Sequence, residues 1–304
     1  MKDDGLTSTP NSVAGVGPLI LFATYSASPA LTADDALFAA ALEQRGARVQ
    51  AAVWGDPAVS WSSAAAVVLR STWDYHLNVA TFLDWVDGIA AVTKLHNDCR
   101  VVRWNSHKKY LGDLARRGVP VIQTVFADAG AQLDFASVAE SIDAAELVVK
   151  PAVSASAHET RRFATDARLD AQAHLDRLLA ERDVMVQPHV SGLAERGELS
   201  LMYVRGQFSH AVRRRSALVD AGAMAKSAAA KATSEAHRTG AQVLVAASEA
   251  AGVEPNELLY ARVDLAEVEP DEFVLLELEL IEPSLFFTHA PEAADRFADA
   301  VLSS

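Results

Sequence analysis

The stretch Val274-Leu275-Leu276-Glu277-Leu278-Glu279-Leu280-Ile281-Glu282-Pro283 constrains this chain more than any other. Apolar and acidic residues alternate along it, the mark of a β-strand whose two faces meet different surroundings. Residues two apart share a face, so Glu277 and Glu279 set two carboxylates side by side. Asp264, in Arg262-Val263-Asp264-Leu265 on the neighbouring strand, brings a third. Such groups repel one another unless a cation lies between them, and magnesium takes oxygen ligands of this kind, usually with phosphates. An amphipathic edge strand with a solvated acidic face has the same pattern. Glu282 falls on the opposite face if the strand stays regular, so it is left out of the set.

Upstream, the rhythm is strand–helix–strand. Pro18 to Ala23 reads as a buried strand, and Thr32 to Arg45 as a helix capped by Thr32, with Asp34 and Asp35 in its first turn and Gly46 as its stop. Ala47 to Val53 and Ala64 to Leu69 are further strands, which predicts a parallel sheet with crossover helices. Thr81 to Ala91 and Asn105 to Gly118 read as helices. Val119 to Val125, Leu147 to Pro151 and Asp183 to Val190 read as strands, the last leaving its sheet at Pro188. Glu198 to Tyr203 and Gln207 to Arg213 form a hairpin around Arg205-Gly206. Ala221 to Thr233 is helix by propensity or a loop. Ser234 to Ala251 is a helix ended by Gly252. Leu258 to Leu265 and Phe273 to Ile281 are strands across the acidic turn Glu267 to Glu272. Pro291 to Leu302 is a final helix with proline first. The fold class is therefore α/β and α+β, with a tail at 1–17 expected to be disordered and units at 18–100, 101–185 and 186–304.

The 304 residues carry a formal net charge of −13, which disfavours nucleic acid and anionic membrane surfaces as partners. No apolar run approaches the roughly 18 residues of a membrane span. The single cysteine, Cys99, allows no intrachain disulfide and fits a cytoplasmic protein. Asp98-Cys99-Arg100 matches no nucleophile signature, and the nine histidines show no paired metal-ligand spacing.

Lys150 ends an apolar strand before a small-residue loop, Val153 to Ala157, where backbone N–H groups can approach an anion. Lys108 lies near a helix start. Each is equally described as a solvated surface charge. Arg213-Arg214-Arg215 stands out in an acidic chain; guanidinium suits phosphate, but the run also fits a solvated strand edge. Arg70 follows the Ala64–Leu69 strand, at the end where open parallel sheets bind ligands. It reads as a binder of a substrate carboxylate with Ser71 beside it, or as a buried ion-pair partner, with Asp74 the nearest acid. Trp73 and Tyr75 read as packing beside a substrate or in the core.

The order of these features resembles the ATP-grasp superfamily, in its glutathione-synthetase-like branch. The resemblance runs through Asn105-Ser106-His107-Lys108, Val148-Val149-Lys150-Pro151, Met185 to Val190, Gly197-Glu198-Leu199-Ser200, the arginine run, Arg262-Val263-Asp264 and Glu277-Leu278-Glu279. Trp54-Gly55-Asp56-Pro57, Trp61-Ser62, Arg70 to Tyr75 and Pro283 to Phe287 resemble the subgroup that includes the O-ureido-serine cyclo-ligase of cycloserine biosynthesis.

What the resemblance implies is an ATP-grasp fold behind an N-terminal parallel-sheet pre-ATP-grasp domain, with 101–185 as the lid subdomain and 186–304 as the C-terminal one. It implies Lys108 and Lys150 on ATP phosphates, Gln187 and Val190 at the adenine, Glu198 near the ribose, Arg214 as the catalytic residue at the γ-phosphate, and Asp264, Glu277 and Glu279 on magnesium. The implied activity is an ATP-dependent carboxylate–amine ligase working through an acyl phosphate, closing a ring on an amino-acid-like substrate. An intermolecular acid–amine ligase and a catalytically silent ATP-binding protein are the alternatives. The implied partner is a small-molecule carboxylate with an amine-type nucleophile; homo-oligomerisation stays open. The chain departs from common family patterns at Ser154, Ser156 and Ala157, where many members have a glycine-rich loop. It departs again at Leu218 to Ala232, where relatives carry glycine and arginine, and at Glu279, where asparagine is common.

Overall fold

The computed structural model describes residues 17–155, 157–215 and 227–303. Residues 1–16 of the expected tail, Ser156, and 216–226, which include 218–226 of the Leu218–Ala232 segment, lie outside the described residues.

The chain opens with β1 (Leu19–Thr24), α1 (Ala33–Gln44), β2 (Arg48–Val53), β3 (Ala66–Leu69), α2 (Val79–Ala90) and β4 (Lys94–His96). The strands form one parallel sheet in the order β2-β1-β3-β4, as the alternating pattern predicts. Local chemistry sets α1: the Asp35 N–H donates to Thr32 Oγ1 at 3.1 Å, and Gly46 leaves the helix at φ +84°. One face of the sheet packs on α2 through Phe82, Val86 and Ile89.

At the end of β4, His96 is 5% exposed. Burial, with Lys94 and Arg205 nearby, pushes its imidazole from 6.5 down to about 3. The unfolded chain therefore binds this proton first. Stability is fully present above about pH 6.5 and falls as the pH drops towards 3, with a slope approaching 1.4 kcal/mol per pH unit. We expect His96→Leu to flatten this limb in urea unfolding between about pH 7 and about pH 5; an unchanged slope would refute it.

Next come α3 (Cys99–Asn105), α4 (Tyr110–Arg116), β5 (Val125–Ala127), α5 (Phe135–Ser141), β6 (Glu146–Pro151), β7 (Arg161–Ala164), α6 (Arg168–Leu179) and β8 (Val184–Pro188). The strands make a second, antiparallel sheet, β5-β8-β6-β7, with its own core of Phe135, Leu147, Val149, Leu175 and Val186. Of the expected helix from Asn105 to Gly118, only Tyr110–Arg116 is helical: Asn105 closes α3, and Ser106 to Lys109 interrupt the chain, because the Lys108 N–H donates to Ala152 O at 2.8 Å instead of up a helix. The expected strand from Val119 to Val125 is an extended run with one parallel bridge, Val121 to Leu275; Pro120 has no N–H for a ladder. Val101, Tyr110, Leu111 and Leu114 pack with the C-terminal sheet rather than with the core of the β5-β8-β6-β7 sheet.

The remainder is α7 (Gly192–Arg196), β9 (Glu198–Val204), β10 (Gln207–Arg214), β11 (Ser227–Ala230), α8 (Ser234–Ala251), β12 (Tyr260–Glu269), β13 (Glu272–Glu279) and α9 (Ala293–Leu302). The five strands form an antiparallel sheet, β11-β10-β9-β12-β13. The alanine-rich segment supplies a strand, Ser227–Ala230, whose small side chains pair against Arg213 and Arg214. The acidic turn narrows to Pro270-Asp271, with Asp271 at φ +61°. Pro291 lies before α9, two residues ahead of its first turn.

The two faces of this sheet decide where chemistry can happen. Leu199, Leu201, Val263, Leu265, Leu278 and Leu280 face α4 and α8 in one core. Met202, Val212 and Tyr260 on the other face pack against the N-terminal domain and α9. Further along that second face the apolar cover ends and the side chains become charged.

Candidate active site

Strand register builds the charged half. Asp264 on β12 stands opposite Ser200 on β9 and Glu277 on β13; Arg262 stands opposite Glu279, and Arg214 opposite Glu198. A β-bulge makes this work. The register jumps from Asp264–Glu277 to Leu265–Leu275, leaving Leu276 as an extra residue. Without it, strict alternation would place Phe273 and Leu275 on the face of Glu277 and Glu279. With it, Phe273, Leu275, Leu278 and Leu280 all enter the helix-side core. Two buried side chains pin the strand: Tyr110 Oη accepts the Leu278 N–H at 2.9 Å, and Asn105 bonds Leu278 O and the Leu280 N–H at 2.9 Å each.

Asp264 is 1% exposed. Ser200 Oγ donates to it at 2.6 Å, Arg214 at 2.6 Å and Arg262 at 2.9 Å. Burial opposes its charge, but Arg214 and Arg262 hold its carboxyl well below the usual range. Glu277 takes Lys108 Nζ at 2.9 Å. Burial again opposes its charge, and Lys108 and Lys150 outweigh it, so its carboxyl is lowered. Glu279 is different: it pairs with Arg262, yet burial, Asp264 and Glu277 push it up to about 7.

Arg214 is the member of the arginine run that turns to the cluster, bonding Asp264 and, at 2.7 Å, Glu198. Arg213 bonds Arg196 O and lies near Glu267, and Arg215 is exposed. Gly197 sets the approach: its φ is +70°, and a Cβ there would come within 2.6 Å of Arg214 O. Lys150, at the end of β6, has no side-chain ion pair or hydrogen bond among the described residues; burial, then Lys108, lower its ammonium, opposed by Glu277 and Glu198.

The structure thus brings Lys108, Lys150, Glu198, Arg214, Asp264, Glu277 and Glu279 together. Gln187 lies elsewhere, on β8, its side chain committed to Thr124 Oγ1 at 3.0 Å. Val190 follows Pro188, just past the strand, with its carbonyl accepting the Leu193 N–H at 3.1 Å. Arg70 and Ser71 sit in the core, 2% and 0% exposed. Arg70 pairs with Asp35 at 2.6 Å, not with Asp74, whose carboxylate takes Trp54 Nε1; α1 folds Asp35 over the strand end. Arg70 NH2 also donates to Pro283 O at 3.0 Å, whereas NH1 and Ser71 Oγ have no partner among the described residues. Of the histidines, His210 is tied to Leu285 O and His189 to Arg162.

Sequence reasoning gave no role to Arg262, which is 5% exposed, bridges Asp264 and Glu279, and lies over the Phe286 ring. Its signal was available: Arg262 is two residues from Asp264 and shares its strand face. Glu282 corrects the alternation argument. β13 stops at Glu279, so its phase does not extend to Glu282. Burial, then Glu279, push the Glu282 carboxyl up to about 8, and Lys108 acts in the other direction.

The donor set suits a hard cation: three carboxylates share one face, and mutual repulsion shows in Glu279. Among the described residues, no three acids converge closely enough to ligate one ion in this arrangement, because their oxygens are turned to Lys108, Arg214 and Arg262.

The cycloserine biosynthesis protein DcsG of Streptomyces lavendulae is 34% identical over 258 residues, covering 82% of this chain and 86% of that protein. The chain belongs to the ATP-grasp ligases, in the DcsG family. Residues 20–97 match the family described as the N-terminal domain of D-cycloserine synthetase DcsG. The crystal structure of D-cycloserine synthetase DcsG superposes with a TM-score of 0.85 at 30% identity, over 94% of this chain and 99% of that one. A D-alanine–D-alanine ligase from Bacillus anthracis, complexed with ATP, shares the fold with a TM-score of 0.66 at 12% identity, over 94% and 97% of the two chains. As in these ligases, a parallel N-terminal sheet precedes two antiparallel ones. Among the described residues no helix is long and apolar enough to cross a membrane.

Proposed function

We propose that this ATP-dependent ligase activates the carboxylate of an amino-acid-like small molecule and lets a nitrogen of the same molecule close a ring on it. The observation that carries the reading is the charged half of the large sheet, where three carboxylates lie among Lys108, Lys150, Arg214 and Arg262. Ring closure rather than joining of two molecules is favoured by likeness to a cycloserine synthetase over nearly the whole chain.

A substrate carboxylate oxygen attacks the γ-phosphorus of ATP, the bond to the bridging oxygen of ADP breaks, and an acyl phosphate forms. The nitrogen then attacks the acyl carbon, loses its proton, and expels inorganic phosphate. Both steps spread negative charge over phosphoryl oxygens, where positioned cations act most strongly. Lys108 and Lys150 are assigned to the phosphates and Arg214 to the γ-phosphate as it transfers. Lys150, uncommitted among the described side chains, fits this best. Glu198, held by Arg214, is placed at the ribose, and the backbone of Gln187 to Val190, past the strand-ending Pro188, at the adenine. Asp264, Glu277 and Glu279 would hold magnesium, which when bound supplies positive charge against the phosphates. Arg70 NH1 and Ser71 Oγ are the buried donors assigned to the substrate's polar end.

The test is release of ADP and phosphate with single amino-acid-like carboxylates, with and without added amine. Stoichiometric release and a cyclic product without a second substrate are expected. Release only with added amine would replace ring closure by intermolecular ligation. Nucleotide binding with no release for any acid would leave a silent ATP-binding protein.

A further inference from the structure

Ring closure needs a group that takes a proton, because the attacking nitrogen must give up its hydrogen as it bonds the acyl carbon. The side chains of the charged half are poorly suited to it. Asp264, Glu277 and Glu279 are turned to Lys108, Arg214 and Arg262, and the Glu282 carboxyl, pushed up to about 8, keeps its own proton at neutral pH. Both ring nitrogens of His107 are engaged, with Asp183 and the Lys109 N–H, and His210 Nε2 is tied to Leu285 O. His76 is differently placed.

His76 lies in the loop that starts at Arg70 and Ser71. That loop turns back at once, the Tyr75 N–H donating to Thr72 O at 3.1 Å, and continues as a 3-10 turn, Tyr75–Leu77. Trp73 Nε1 donates to Glu282 O at 3.3 Å, which docks the loop on the segment leaving the carboxylate strand. His76 is half-buried there, near enough to Lys108 for the ammonium to act on its ring. Its Nδ1 lies 3.0 Å from Trp73 O. A carbonyl only accepts, so the proton of the neutral ring sits on Nδ1 and the Nε2 lone pair is left open. Nε2 has no hydrogen-bond partner among the described residues.

A second ring is held against it: the His158 ring centre lies 5.0 Å from that of His76. His158 comes from the loop before β7, where Ala157 at φ +55° and Glu159 at φ +53° take the left-handed conformation on both sides of it. Such strain persists where the surroundings impose it. Here Arg177 grips the Glu159 carboxylate at 2.7 Å, and His174 Nε2 donates to Glu159 O at 3.1 Å. Burial, then His158, then Lys108 lower the His76 ring from 6.5, while the Trp73 carbonyl and Asp74 act the other way. The net result is a neutral ring at pH 7.

We propose that His76 Nε2 is the base of the ring-closing step, with His158 as a positioning residue packed on its ring; this rests on the ring-closing activity proposed above. As the nitrogen lone pair bonds the acyl carbon, the N–H proton passes to Nε2. The bond from that carbon to the phosphate oxygen breaks, and inorganic phosphate leaves with the electron pair. The imidazolium then returns its proton to water. Phosphoryl transfer comes first, starts from a carboxylate and moves no proton, so it does not need the ring.

The experiment is a single turnover of the full chain with ATP, magnesium and each enantiomer of O-ureido-serine, quenched in acid, with ADP and cyclic product read separately. In His76→Asn, whose amide can still donate to Trp73 O, ADP should form at close to the wild-type rate while ring closure slows about a hundredfold or more. Imidazole added to His76→Ala should restore part of the ring closure and leave ADP formation as it was. In His158→Phe, which keeps an aromatic ring in place, the acidic limb of ring closure should move to higher pH, since a group that lowers the His76 ring is gone. An unmoved limb strikes His158 from the proposal. Equal ring closure in wild type and His76→Asn overturns the role of His76, and so does a parallel loss of ADP and cyclic product, because a binding or structural role slows both. A wild type that closes no ring on either enantiomer overturns the ring-closing activity itself, and the base with it.

Discussion

Glu277→Gln is expected to lower kcat for ADP formation by about a thousandfold or more while the protein stays folded. Glutamine keeps the volume and can still accept a hydrogen bond from Lys108 Nζ, which lies 2.9 Å from the glutamate. What disappears is one negative charge opposite Asp264, in the register position where the strands bring the carboxylates together. Lys108 also donates to Ser154 O at 2.9 Å, so its ammonium keeps a partner. The Glu277 side chain is 30% exposed, so the stability cost should fall below the roughly 3–5 kcal/mol of breaking a fully buried pair. Glu272→Gln, exposed at the other end of β13, is the control and should leave kcat unchanged. A folded Glu277→Gln protein with undiminished turnover would remove the carboxylates from the chemistry.

Part of this arrangement was legible in the sequence because it rests on short-range rules. The capped α1, the hairpin at Arg205-Gly206 and the helix ended by Gly252 each depend on a residue within one turn of the feature it sets. Glu277 and Glu279 were legible for the same reason, since period two fixes their common face. The remainder depends on partners distant in the chain. The Ser106–Lys109 break is made by Ala152, and the ion pair of Arg70 by Asp35 on the crossover helix. The bulge is intermediate. Leu275-Leu276 interrupts the alternation, which is a local signal, but only pairing against Leu265 shows which of the two is extra. The cluster itself follows the same division: its acids were readable from one strand, while the choice of Arg214 over Arg213 or Arg215 required the register with Glu198.

Arg70→Met is expected to destabilise the fold by roughly 3–5 kcal/mol, read as a lower midpoint in urea unfolding, because it strands a buried carboxylate. Both partners are almost wholly enclosed, the Arg70 side chain 2% and the Asp35 side chain 3% exposed, with Nε and Oδ1 2.6 Å apart. The guanidinium also lies 5.5 Å from the Tyr260 ring centre and donates to Pro283 O, so it joins the N-terminal sheet to the segment that follows β13. Adding Asp35→Asn should recover most of the loss, since the stranded charge is then gone and the Thr32 contact persists. Arg70→Met as stable as wild type would mean that the pair carries little of the fold. The double variant then separates the two roles open to Arg70. If the arginine only joins the domains, the refolded double variant keeps kcat and KM near wild type. If NH1 also meets the substrate's polar end, as proposed, KM for the acid rises at least about tenfold while KM for ATP holds, because a charge-assisted hydrogen bond to one substrate alone has been removed.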